Sequence, residues 1–311
     1  MNRRLASERE DAVLGPHRNA LIAAVSVAAG MVAGPGLAED AAGPTAMVAD
    51  PCAGAVQHPL DVGLRPMLQP GGRMKPPSPE EAAAAGKAMA EQRVKDWPDL
   101  CRYPAANAAV KHPPKVVFMG DSITELWAIA NPGFFSDELV DRGISCQTSP
   151  QMLLRFRSDV VALKPGAVHI MAGTNDIAGN TGPTSERAFK DNIESMVELA
   201  KAHHIRVVLA SILPMGSIGW QPQYRPAEEV RRLNRWLRDY AARSGGLYLD
   251  YYSSLATADG AFRPDLSNDG VHPNLAGYAI MSRLAAKALA STPARGPRQA
   301  AAPAAAAASS R

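Results

Sequence analysis

The 311-residue chain is poor in cysteine, and none of its three, Cys52, Cys101 and Cys146, stands at zinc-site spacing from another. It also lacks a G-x-G-x-x-G or P-loop pattern, which takes away most of the support for nucleotide binding. No internal repeat is present, so a solenoid or propeller is not indicated. Charge of either sign is nearly balanced, with 33 Lys and Arg against 30 Asp and Glu. Such a balance leaves no electrostatic footprint for nucleic acid. The apolar run at 21–34 is too short to cross a bilayer comfortably.

What is present begins with that short apolar run. Arg18 precedes it, and Gly36-Leu37-Ala38 follows with small residues suited to a signal peptidase. Residues 1–38 therefore read as a cleaved secretory signal, an uncleaved anchor being the alternative. The leading acids Glu8, Glu10 and Asp11 are untypical of a signal. Export to the periplasm or beyond, with no stable membrane span after cleavage, is the expectation. In an oxidising compartment Cys52 and Cys101 could pair and leave Cys146 as the odd thiol. Residues 39–112 form an N-terminal extension, irregular to about 78, in which Pro79-Glu80-Glu81 opens a helix predicted to run to Lys95. Residues 292–311 are an Ala/Pro-rich tail expected to be disordered.

Across 113–291 short apolar strands alternate with helices. Strands are predicted at 116–119, 141–144, 167–171, 206–212 and 247–249. Helices are predicted at 123–129, 150–163, 185–203, 227–243 and 274–290. The alternation predicts an α/β fold, a three-layer α/β/α sandwich about a central, mainly parallel five-stranded sheet. Sites in such sheets gather at the carboxyl ends of strands.

Three polar segments fall at such ends or just before helices. The first strand breaks at Gly120-Asp121 and delivers Ser122 to a helix start, where backbone N–H groups favour a developing oxyanion. A simple turn with a helix cap reads equally well from these residues alone. A serine nucleophile needs a base, and the base needs an orienting group. Among the seven histidines, His17 lies in the signal, His58 and His112 in the extension or its junction, His169 inside an apolar strand, and His203 and His204 at a helix end. His272 remains, in a polar loop with Asp269 three residues before it. An Asn/Asp-rich turn capping the last helix is the alternative for that loop. Asn175, in Gly173-Thr174-Asn175-Asp176, can donate to an oxyanion or serve only as an Asx turn. Asp176 reads as a buttress of that loop.

Together these blocks resemble the SGNH hydrolases, also called the GDSL-like esterase/lipase family. Gly120-Asp121-Ser122-Ile123-Thr124, Gly173-Thr174-Asn175-Asp176 and Asp269-Gly270-Val271-His272-Pro273 occur in the family order over about residues 115 to 290. The G-x-S-x-G elbow of α/β-hydrolases is missing around Ser122. The resemblance implies a flavodoxin-like sheet and a Ser122, Asp269, His272 triad. It also implies an oxyanion hole from the Ser122 N–H, the Cys146 N–H and the Asn175 side chain, with neither metal nor organic cofactor. Ile144-Ser145-Cys146-Gln147-Thr148 matches the family's second block except that Cys146 replaces its glycine. A catalytic thiol there is a further possibility. The implied activity is hydrolysis of short-chain, acetyl-like esters of small molecules or carbohydrates, since residues 148–156 resemble acetylhydrolase-like members. A lysophospholipase or acyl-thioesterase using the same triad is the alternative, and a catalytically weak envelope or carbohydrate-binding protein is the alternative of another class. Trp127, Trp220 and Tyr224 are candidate pocket residues, core or loop anchoring being their other reading.

Overall fold

The computed structural model describes residues 50–53, 65–73, 78–218 and 223–290. The readings of 1–38 as a signal and 292–311 as a disordered tail lie outside the described residues, as does Trp220. Residues from Asp50 onward make one compact unit.

Five strands form its centre: β1 (Val116–Gly120), β2 (Leu139–Gly143), β3 (Ala167–Ile170), β4 (Arg206–Ala210) and β5 (Leu247–Leu249). They pair wholly in parallel in the order β2-β1-β3-β4-β5. A strand in the middle of such a sheet must be apolar on both faces, because helices cover both. β1 meets that requirement, and all five of its residues are buried. Its alternate side chains enter different cores. Val117 and Met119 join one core with α7 (Glu186–Ala202) and α8 (Ala227–Ser244). Val116 and Phe118 join the other with α4 (Ser122–Ala130) and α10 (Leu275–Ala290).

The predicted helices hold, except that 150–163 is divided, and the structure adds short helices, among them α3 (Pro104–Ala108), α6 (Thr174–Ala178) and α9 (Tyr252–Leu255). α5 (Ser149–Phe156) passes into a wider π-helical turn (Arg157–Val161). There the Ser158 hydroxyl donates to the Arg155 carbonyl at 2.9 Å, one of the local side-chain bonds that compete with the regular ladder. β2 starts two residues earlier than expected, because its register is set by pairing with β1 rather than by its own weak apolar pattern.

Trp127 requires a correction as a pocket residue. Its side chain is fully buried in the core, stacked on Phe134 with ring centroids 5.0 Å apart, and its indole N–H donates to Ser282 Oγ at 2.9 Å. None of it is exposed to solvent. Tyr224 is partly buried against the α7/α8 core, and its hydroxyl donates to Glu229. His169 is a buried core residue, bonded through Nε2 to the Tyr251 hydroxyl at 3.0 Å, and burial lowers its pKa to about 3.

The extension is tied to the domain at several places. In α1 (Arg65–Leu68), Leu68 enters the α4/α10 core. α2 (Pro79–Lys95) begins at a Ser78–Glu81 capping box and, by contrast, has no buried residue. Cys52 and Cys101 form a disulfide with Cα atoms 5.3 Å apart. It closes a 49-residue separation that contains α1 and α2. Chain entropy gives such a crosslink a stabilising effect of about 2–4 kcal/mol. A Cys52→Ser/Cys101→Ser protein is expected to unfold at correspondingly lower urea than wild type, and dithiothreitol should shift the wild-type curve but not the variant's.

Candidate active site

β1 ends at Gly120, where a Cβ would stand 2.0 Å from the Thr124 hydroxyl, so only glycine lets the strand turn this closely into α4. Asp121 caps α4, its Oδ1 accepting from the Ile123 N–H at 2.9 Å. Ser122 is then the first helical residue, and its Oγ lies 2.9 Å from His272 Nε2. The cap and the presented serine are thus two uses of one helix start.

On the opposite loop, Asp269 Oδ1 accepts from the N–H groups of Val271 and His272 at 2.9 and 2.8 Å and from Ser267 Oγ at 3.2 Å. This closes an Asx-type turn that aims Oδ2 at His272 Nδ1, 2.7 Å away. Burial raises the Asp269 carboxyl, but the imidazole and the two N–H donors outweigh it and bring its pKa down to about 2. An ionised carboxylate can only accept, so Nδ1 carries the proton and Nε2 presents its lone pair to the serine hydroxyl. Asn268 pins the base of this loop to the extension. It donates to the Met67 and Gln69 carbonyls at 2.6 and 2.7 Å and accepts from the Gly71 N–H at 2.9 Å.

Asn175 follows Gly173, whose φ of +120° is open to glycine alone. The Asn175 amide donates to the Gln147 carbonyl at 3.0 Å and to Asp121 Oδ2 at 3.3 Å, and its Oδ1 accepts from Asn180. Its N–H groups are therefore fixed toward the Ser122 and Cys146 loops, the weaker of the two bonds being the one to Asp121. Asp176 receives the Ser149 N–H and hydroxyl, and so buttresses the start of α5.

Cys146 keeps a left-handed backbone, φ +65°, in the place of the family's glycine. The loop accommodates the β-carbon and bears a conformational cost of about 1–2 kcal/mol. Cys146 is exposed, yet desolvation by its surrounding loops and the nearby Asp121 charge raise the thiol pKa, against a lowering influence from Arg93. A raised pKa favours the thiol over the thiolate, so the environment gives no support to a cysteine nucleophile. Among the described residues, neither the Ser122 nor the Cys146 backbone N–H has an acceptor within the protein.

Two residues that the sequence reading passed over hold these loops together. Arg155, fully buried, donates to the Gly120 carbonyl at 2.9 Å, Gln147 Oε1 at 2.6 Å and Asp159 Oδ2 at 3.1 Å. Glu125 receives the Ser145 N–H at 2.8 Å and pairs with Arg102 of the extension at 2.7 Å. A charged residue on the buried side of a short helix, with Asp159 four positions after Arg155, was the available signal.

Asp141, in β2, is half-buried, with its carboxylate Oδ2 enclosed. Its Oδ1 accepts from the Gly143 N–H at 2.6 Å while its Oδ2 has no partner, and burial raises its pKa to about 7. Between the ordinary value of 3.8 and about 7 the folded protein holds a proton that the unfolded chain releases. Stability therefore falls as pH rises through that window. Asp121, raised by burial to about 6, acts in the same direction. Melting temperatures at pH 5 and pH 8 are expected to differ less in Asp141→Asn than in wild type.

The fold agrees with the comparisons. The GDSL-like Lipase/Acylhydrolase family matches residues 118–280, more than half of the chain. A structure from Bacteroides fragilis, provisionally named an acylhydrolase, is 46% identical with a TM-score of 0.61, covering 63% of this chain and 97% of its own. A GDSL-like lipase from Bacteroides thetaiotaomicron is 42% identical at the same TM-score, covering 63% and 98%. An uncharacterized lipoprotein of Bacillus subtilis, YqeF, is 33% identical over 81 residues, which are 25% of this chain and 33% of that protein. The chain thus spans about a third of the length of this curated relative. On the family match and the parallel five-stranded sheet, the chain belongs to the GDSL-like lipase/acylhydrolase family of ester-hydrolysing enzymes.

Proposed function

We propose that the protein is an exported serine carboxylester hydrolase that works through an acyl-Ser122 intermediate. The observation that carries this reading is the continuous array Ser122 Oγ, His272 Nε2, His272 Nδ1, Asp269 Oδ2, with contacts of 2.9 and 2.7 Å. Nε2 takes the hydroxyl proton as Oγ attacks the ester carbonyl. The resulting oxyanion is held by the N–H groups of Ser122 and Cys146 and by the Asn175 amide, which exchanges its long bond to Asp121 for the new anion. Nε2 then gives its proton to the departing alkoxide. Water enters, surrenders a proton to the same nitrogen, and releases the acid and free Ser122. Asp269 stays ionised throughout and stabilises the imidazolium.

Carboxylic esters of a small molecule or a carbohydrate are the proposed substrates, acetyl-like groups being the reading that rests on the sequence resemblance alone. A longer acyl chain is the second reading, favoured by an apolar cleft that opens beside Cys146. The disulfide supports export, since such bonds persist in oxidising compartments, and a relative named as a lipoprotein points the same way.

A p-nitrophenyl ester series, with fluorophosphonate labelling of Ser122 mapped by mass spectrometry, tests the proposal. Turnover together with labelling at Ser122 is expected. A folded protein that does neither would overturn it. Asn175→Ala, which removes one oxyanion donor, is expected to lower kcat about 100- to 1000-fold with KM little changed.

A further inference from the structure

We infer that α2 of the N-terminal extension is the outer wall of an acyl-chain subsite, so that the extension helps to set the chain length this enzyme accepts. The inference rests on the hydrolase reading above and concerns where the acyl chain lies.

A cleft of about 520 Å³ runs between α2 and α4. Ala85, Ala88 and Met89 line it from α2, at the i, i+3, i+4 spacing of one helix face. Leu126 and Ile129 line it from α4, and Cys146 forms part of the same lining. The helix that presents Ser122 therefore also presents the apolar floor. Cys146 supplies the unpaired N–H proposed to bind the oxyanion, and Gln147, also in the lining, accepts the Asn175 amide. With its oxygen at the Cys146 N–H, the ester carbonyl lies beside a residue of this lining, and the proposed subsite takes its alkyl substituent into the cleft.

α2 buries no residue, although Met89 and its alanines face the cleft. Its position comes instead from its C-terminal end. Arg93 donates to the Asn180 carbonyl at 3.1 Å, and the following Asp96 carboxylate accepts from the N–H groups of Leu100 and Cys101 at 2.9 and 2.8 Å. A helix held at one end, with an apolar face open toward the oxyanion loop, suits a flexible unbranched chain better than a polar sugar. The volume lies in the range that holds whole small ligands, far more than an acetyl group fills.

Each methylene buried there should raise kcat/KM about fourfold until the cleft is filled. With the full-length protein and p-nitrophenyl acetate, butyrate, hexanoate and octanoate, kcat/KM is expected to rise from acetate to at least hexanoate. Ala88→Trp should lower the octanoate-to-acetate ratio at least tenfold. Val94→Trp, on an exposed site of α2 outside the cleft, should leave that ratio unchanged. Ala85→Trp provides a second cleft variant if Ala88→Trp does not fold. Rates that fall steadily from acetate, or cleft variants that leave the ratio within twofold, would overturn the subsite while Ser122 labelling upheld the hydrolase reading. Absence of both turnover and labelling would overturn the two together.

Discussion

Ser122→Ala is expected to lower kcat/KM for every ester the enzyme accepts by about 10⁴- to 10⁶-fold, without lowering the melting temperature. The large loss follows from removing the atom to which the acyl group is transferred. The small structural effect follows from the surroundings. Ser122 Oγ has its hydrogen bond with His272, whereas α4 is capped by Asp121, so the helix keeps its start when the hydroxyl is removed. His272→Ala should cost about as much, and the double variant little more than either single, because nucleophile and base act as one unit. Initial rates with a chromogenic ester and a thermal melt check all three proteins. Undiminished turnover in Ser122→Ala would refute the assignment of the nucleophile.

The largest structural effect is expected from Arg155→Met. The guanidinium is entirely buried and ties three elements: the Gly120 carbonyl at the end of β1, Gln147 beside Cys146, and Asp159 in the π-helical turn. Methionine fills similar space but donates nothing, which leaves Gln147 Oε1 unpaired, the Gly120 carbonyl with the Ile144 N–H alone, and the Asp159 charge short of its counter-ion. Breaking one side of a buried ion pair typically costs about 3–5 kcal/mol. The urea midpoint should drop accordingly, with the slope of the transition unchanged. Arg155→Met/Asp159→Leu should recover part of that loss, since removing both charges costs less than stranding one. Recovery should stay incomplete, because the Asn107 amide would then lose the closer of its two acceptors, Asp159 at 2.8 Å, and keep only the Ser158 carbonyl at 3.3 Å. An Arg155→Met protein as stable as wild type would show that the pair is dispensable.

Most elements were legible in the sequence because their signals are local. α2 runs from Pro79 to Lys95 as read, since Ser78, Pro79 and Glu81 make a complete helix start. β5 matches its three residues, Leu247–Leu249. The division of α5 was not legible, because apolar spacing continues through Val160 and Leu163 while a hydroxyl contact alters the backbone. Trp127 was misjudged for a related reason: an aromatic residue near a candidate nucleophile gives no sign of which side of its helix it occupies.

The chain by itself determined the pieces whose geometry closes within a few residues. Asp269 and His272 lie on one turn, and Ser122 and Asn175 stand in helix starts that follow strands, so local pattern offered them as candidates, and the joint occurrence of the three blocks set them apart from simple caps and turns. Only the tertiary structure decided that Ser122 meets His272, 150 positions away in sequence, and that Cys146 keeps a glycine-like backbone. It alone placed Arg155 beneath the loops and α2 beside the cleft. These are long-range outcomes of five parallel strands ending at one edge and of an extension fastened by the Arg102–Glu125 ion pair and the Asn268 hydrogen bonds, and no local propensity encodes them.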